Sequence, residues 1–167
     1  LDLTALSAAQ GYVITGDPLL GASLAVGDID GDGIDDIIAA AGGQADGAST
    51  SLWYLAGTSG RTLTSATPSI LATNVAGIED SLRGSLAVFD FDDDGFGDVA
   101  FISGSLAIPT RYITLILGGE TPQAADHGSS YGSQPAIAAD EGLYWTLPAD
   151  EGDTGYATAL GDINGDG

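Results

Sequence analysis

Cysteine and lysine are absent from this 167-residue chain. Three arginines stand against 24 Asp and Glu residues, for a formal charge of −21. Without cysteine there is no disulfide, no thiol catalysis and no cysteine-based zinc site. The lack of cations excludes a general affinity for nucleic acid, because binding phosphates takes Lys and Arg to displace counterions. It also excludes a polybasic membrane-surface helix. No unbroken apolar run exceeds that of residues 37–41, far short of the roughly 20 residues of a membrane-spanning helix, so no membrane insertion is expected. Histidine occurs once, at His127, and the helix formers Glu, Lys and Gln are scarce.

What is present is apolar residues and glycine. The hydrophobic fraction is 44% and the mean hydropathy is +0.19, too apolar for a disordered acidic tail. Glycine is found 26 times, well above its usual share of roughly 7%. This profile predicts an all-β chain of short strands joined by tight turns.

The chain repeats itself. Ser23-Leu24-Ala25-Val26-Gly27-Asp28-Ile29-Asp30-Gly31-Asp32-Gly33-Ile34-Asp35-Asp36 returns as Ser85-Leu86-Ala87-Val88-Phe89-Asp90-Phe91-Asp92-Asp93-Asp94-Gly95-Phe96-Gly97-Asp98. It begins a third time at Ala157-Thr158-Ala159-Leu160-Gly161-Asp162-Ile163-Asn164-Gly165-Asp166-Gly167. The leading Asp falls at 28, 90 and 162, spacings of 62 and 72 residues, which marks a repeat architecture. Tyr12-Val13-Ile14-Thr15 precedes the first acidic loop and Tyr144-Trp145-Thr146-Leu147 the third. Apolar runs follow the loops at 37–41 and 99–102, and aromatic-rich strands ending in glycine follow at 52–57 and 111–118. Each full repeat therefore reads as four short antiparallel strands, with the acidic loop joining the second and third. Such units are the blades of a β-propeller. The expected architecture is a partial propeller of two full repeats, 1–57 and 58–118, and an incomplete third, 119–167. The segments 58–68 and 118–142 read as irregular connectors.

Numbered as nine positions, the first loop carries Asp28, Asp30 and Asp32 at 1, 3 and 5, the carbonyl of Ile34 at 7 and Asp36 at 9. The second carries Asp90, Asp92, Asp94, the carbonyl of Phe96 and Asp98. Alternate positions of a curled loop point the same way, so these oxygens converge. Calcium takes 6–8 oxygens, whereas magnesium prefers few protein ligands and several waters. Four carboxylates within nine residues repel one another unless a cation joins them. Gly31, Gly33 and Gly95 suit the positive φ that the curl needs, and Asp35 and Asp93, at even positions, are expected to face solvent. An EF-hand does not fit: its twelfth position, a Glu flanked by helices, is Ala39 or Phe101 here, between strand-like flanks. Asp162, Asn164 and Asp166 occupy positions 1, 3 and 5 of a third loop whose positions 7 and 9 lie beyond Gly167. The chain is thus expected to be a piece of a longer propeller, with that loop empty, frayed or completed by another chain.

The run from Gly21 through Asp28-Ile29-Asp30-Gly31-Asp32-Gly33 to Ile38, followed by Leu52-Trp53-Tyr54-Leu55-Ala56-Gly57, resembles the FG-GAP repeat, and the resemblance extends over essentially the whole chain. That repeat builds the integrin-α-type β-propeller and many secreted bacterial proteins. The resemblance implies a seven-bladed ring, which needs far more chain than this. It also implies calcium in the loops on one face, held by Asp28, Asp30, Asp32, Ile34 and Asp36 and by Asp90, Asp92, Asp94, Phe96 and Asp98, with partner binding on the other face. The second loop departs from the family in carrying Asp93 where glycine is frequent.

Catalytic residues are few. His127 lies in a Gly/Ser-rich stretch and Arg61, Arg83 and Arg111 are scattered. Trp53 and Trp145 read as packing residues on strands. Carboxylate pairs for glycoside hydrolysis would have to come from residues already assigned to metal. The sequence therefore points to a non-catalytic, extracellular or cell-surface calcium-binding module for adhesion or recognition, whose partner is a protein or a glycan. The alternatives are a structural subunit of a surface layer or filament, made with further blades or copies of itself, and the non-catalytic part of a secreted carbohydrate- or lipid-active enzyme.

Overall fold

The computed structural model describes residues 13–14, 20–41, 50–59, 69–75, 86–104, 111–122, 125–126, 137–138 and 140–147. Among them there are nine strands and no helix: β1 (Leu20–Gly27), β2 (Asp36–Ala41), β3 (Thr50–Leu55), β4 (Ser69–Val75), β5 (Ala87–Phe89), β6 (Asp98–Gly104), β7 (Arg111–Ile116), β8 (Ala125–Asp126) and β9 (Gly142–Leu147). They form two sheets, ordered β1-β2-β3-β4-β8 and β5-β6-β7-β9. All pairings are antiparallel except the two-residue β4–β8 contact. The all-β, blade-like architecture expected from the repeats is present twice.

The sheets are phased differently from the sequence repeats 1–57, 58–118 and 119–167. The first sheet takes in β4, and the second closes with β9. Among the described residues each acidic loop joins the first and second strands of its sheet, while along the repeat 58–118 it joins the second and third strands, β5 and β6, as expected. Val13 and Ile14, expected in a leading strand, lie outside any strand, and Tyr12 and Thr15 are outside the described residues. The Tyr144–Leu147 strand, expected to lead a third blade, is hydrogen-bonded to β7. The 118–142 connector, read as irregular, contributes β8 to the first sheet. A repeat can be cut at any phase, and its period does not specify which sheet an end strand joins.

Register explains the packing. Ser23, Ala25, Ile38, Ala40, Leu52 and Tyr54 share one face of the first sheet, because successive residues of a strand point to opposite faces. Val88, Val99 and Ile116 align across the second sheet, and Phe101 lies on the same face. These two faces meet in a single core of Ile29, Ile38, Ala40, Leu52, Leu71, Leu86, Val99, Phe101 and Ile116. β2 is buried nearly throughout, as its continuous apolar run predicts for a strand covered on both sides.

β1 of the first sheet lies against β5 of the second. A Cβ on Gly27 would collide with the Cγ1 and Cβ atoms of Val88. Gly27→Ala is therefore expected to lose about 1–3 kcal/mol in urea unfolding, the range for overpacking. Adding Val88→Ala should recover part of the loss; no recovery would show that Gly27 acts other than by close approach.

Candidate metal centres

Each centre is built on the turn between the first two strands of a sheet. Residues 29–34 and 91–96 are bends. Gly33 and Gly95, both at position 6, have φ of 83° and 90°, which an L side chain resists. Position 4 is Gly31 at φ 73° in the first loop and Asp93 at φ 60° in the second. Asp is among the few side chains that tolerate this region. Asp35 and Asp93 are exposed, as expected.

The two loops are pinned by the same bonds. In the first, Asp28 accepts the N–H groups of Asp32 (3.1 Å) and Gly33 (2.8 Å). In the second, Asp90 accepts those of Asp94 (3.2 Å) and Gly95 (2.9 Å). At position 5, Asp32 accepts the N–H of Ile34 (2.8 Å) and Asp94 that of Phe96 (2.9 Å). The closing carboxylates reach across the sheet. Asp36 accepts from Ile29 N–H (2.8 Å) and Gly57 N–H (2.7 Å), and Asp98 from Phe91 N–H (2.7 Å) and Gly118 N–H (2.8 Å). Both closing residues are fully buried. The glycines that end the aromatic-rich strands are thus functional neighbours of the loops.

Carboxylate oxygens of Asp28, Asp30 and Asp36 lie within 4.8 Å of one another, as do those of Asp90, Asp92 and Asp98. Asp32 and Asp94 stand outside these trios, with one oxygen each closing a turn. The structure holds the backbones of Ile34 and Phe96 through their N–H groups. Asp162, Asn164, Asp166 and His127 lie outside the described residues. The Tyr54 hydroxyl, a neighbour not legible in the sequence, donates to Asp30 Oδ2 at 2.7 Å.

Burial raises the Asp36 carboxyl above its usual range, against the lowering effect of its N–H donors. Asp98 is raised to about 6 by the same burial, with the charges of Asp92 and Asp94 adding to it. Asp92 is raised by desolvation and then by Asp94 and Asp90. Burial, followed by the bond to Asp30, raises the Tyr54 phenol. The donor set fits calcium: it is all oxygen and anionic, and oxygens 2.3–2.6 Å from a shared ion lie at most about 5 Å apart.

These shifts set a pH dependence. In the metal-free fold Asp98 keeps its proton up to about pH 6, against about 3.9 for an unfolded Asp. Its contribution to stability is complete below about pH 4 and is lost as pH rises through 6. In chelator, the melting temperature is expected to fall between those values, and Asp98→Asn to flatten the fall. Calcium affinity is expected to run the other way and weaken below pH 6, because metal ligands must be deprotonated. Melting curves and calcium titrations at pH 5 and 7 check both; an identical pH slope in Asp98→Asn would remove Asp98 as the cause.

No curated protein matches the chain. The segment that holds β1, the first acidic loop, β2 and the start of β3 does match a family model: residues 20–52 are similar to the FG-GAP repeat.

Proposed function

We propose that the chain is a calcium-stabilised, non-catalytic module of an extracellular or cell-surface protein, used for adhesion or recognition of a protein or glycan partner. One observation carries the reading: two carboxylate trios stand at the same register of successive sheets, each with a buried closing aspartate. Asp28, Asp30 and Asp36 would hold one ion and Asp90, Asp92 and Asp98 another, with Asp32, Asp94 and the Ile34 and Phe96 carbonyls within the same turns. A bound cation would remove the repulsion among these groups and lock the turns. The FG-GAP match supports the reading, since such repeats form integrin-like propeller modules and are typically extracellular or surface-exposed. No helix among the described residues is long and apolar enough to cross a membrane.

A second reading, a structural subunit of a surface layer or filament, draws on apolar residues left on the two outward faces. Leu24 and Val26 are exposed on one, where Trp53 Nε1 is buried without a hydrogen-bond partner. Phe91, Leu143 and Trp145 are exposed on the other. Two different faces in contact would join copies head to tail.

Calcium at a hundredfold excess over Kd is expected to stabilise the fold by about 2.7 kcal/mol per site. Thermal melts with calcium and with chelator test this, and an unchanged midpoint would sink the calcium reading. Sedimentation across a concentration series separates the second reading, which requires growing assemblies.

A further inference from the structure

The two centres match in their backbone bonds but not around the side chain at position 3. In the first, Asp30 is held at both oxygens: Oδ1 accepts the Asp32 N–H at 3.2 Å and Oδ2 the Tyr54 hydroxyl at 2.7 Å. Tyr54 pairs with Ile38, two residues after the closing Asp36. The same place in the second sheet, opposite Ala100 and two residues after Asp98, belongs to Leu115. Leu115 is buried and apolar and has no hydrogen to donate. Asp92 is exposed, and its carboxylate interacts with the backbone and side chain of Asp94 instead.

From this asymmetry we infer that Tyr54 is a positioning residue that makes the first loop the tighter of the two calcium sites. The inference rests on the calcium reading above. A neutral hydroxyl donating to Asp30 leaves the full negative charge on the carboxylate and removes its rotational freedom before any ion arrives. Asp92 has no such tether to the third strand of its sheet and has to be ordered when the ion binds. Partners that orient a ligating carboxylate typically contribute a factor of about 10–100 in metal affinity. The tyrosine ring itself packs against the core between the sheets, so the third strand of the first sheet holds the hydroxyl in place.

Calcium titration followed by the amide resonances of Gly33 and Gly95 reads the two loops separately, since these N–H groups donate to Asp28 and Asp90. The first loop is expected to bind more tightly in the unaltered chain. Tyr54→Phe keeps the ring and removes the hydroxyl. It is expected to weaken the first site about tenfold or more, to leave the second within about twofold, and to have little further effect in an Asp30→Asn background, as a double-mutant cycle requires of a residue acting through Asp30. Equal affinities in the two loops, a tighter second loop, or a Tyr54→Phe shift that is absent or the same at both sites would overturn the inference while leaving the calcium reading intact. If neither glycine responds to calcium in the unaltered chain, the calcium reading itself fails. A merely structural role for Tyr54 would instead lower the melting temperature in chelator with no difference between the loops.

Discussion

A buried carboxylate at the end of each acidic loop holds the rest together. Asp36 and Asp98 have no solvent exposure, and each bridges two distant backbone groups: the second residue of its own loop and the glycine two residues past the third strand. Burying a charge without partners is prohibitive. The N–H donors make the burial tolerable, yet Asp98 remains raised to about 6. The remaining tension is the approach of two further carboxylates, which a divalent cation would relieve directly. Loop curvature and strand pairing therefore share one pair of atoms in each sheet.

The same loops also form the contact between sheets. The Asp28 carbonyl accepts the Gly97 N–H at 2.6 Å, and the Ile29 carbonyl accepts the Gly119 N–H at 3.0 Å. Position 2 of the loop shows what this contact does. Ile29 is covered by the second sheet and is 1% exposed; Phe91, its counterpart, is 48% exposed and packs edge-on against Phe89 and Trp145, with ring centroids 6.1 Å apart in each pair. One residue position is core in one sheet and surface in the next, according to what lies beside it.

The lack of cations gives this arrangement its character. With a charge of −21, the protein has little of its own to neutralise the loops, and the attraction they exert falls on small cations from solution. Repulsion at the surface, screened by salt, and repulsion within the loops, which salt screens less because the closing carboxylates are buried, act on different parts of the molecule.

Much of this was legible in the chain itself. The 62-residue return of the acidic loop, the apolar runs of β2 and β6 and the aromatic strands β3 and β7 specify an all-β repeat, because period-2 burial and turn glycines are local properties. The spacing anticipated the convergence of Asp28, Asp30 and Asp36 but also drew in Asp32 and Asp94, which stand outside the trios, because each turns an oxygen to the N–H two residues on. The partners of the closing aspartates were not legible. Gly57 and Gly118 lie 21 and 20 residues away in the chain and become neighbours only through the β2–β3 and β6–β7 registers. Register also sets Tyr54 against Asp30 while leaving Leu115 at the matching place, places β9 in the second sheet and exposes Phe91 where Ile29 is buried. Local sequence determined the loops and the strands; only the pairing of strands far apart in the chain decided which side chains complete each centre, because hydrogen-bond register is settled when the whole sheet packs.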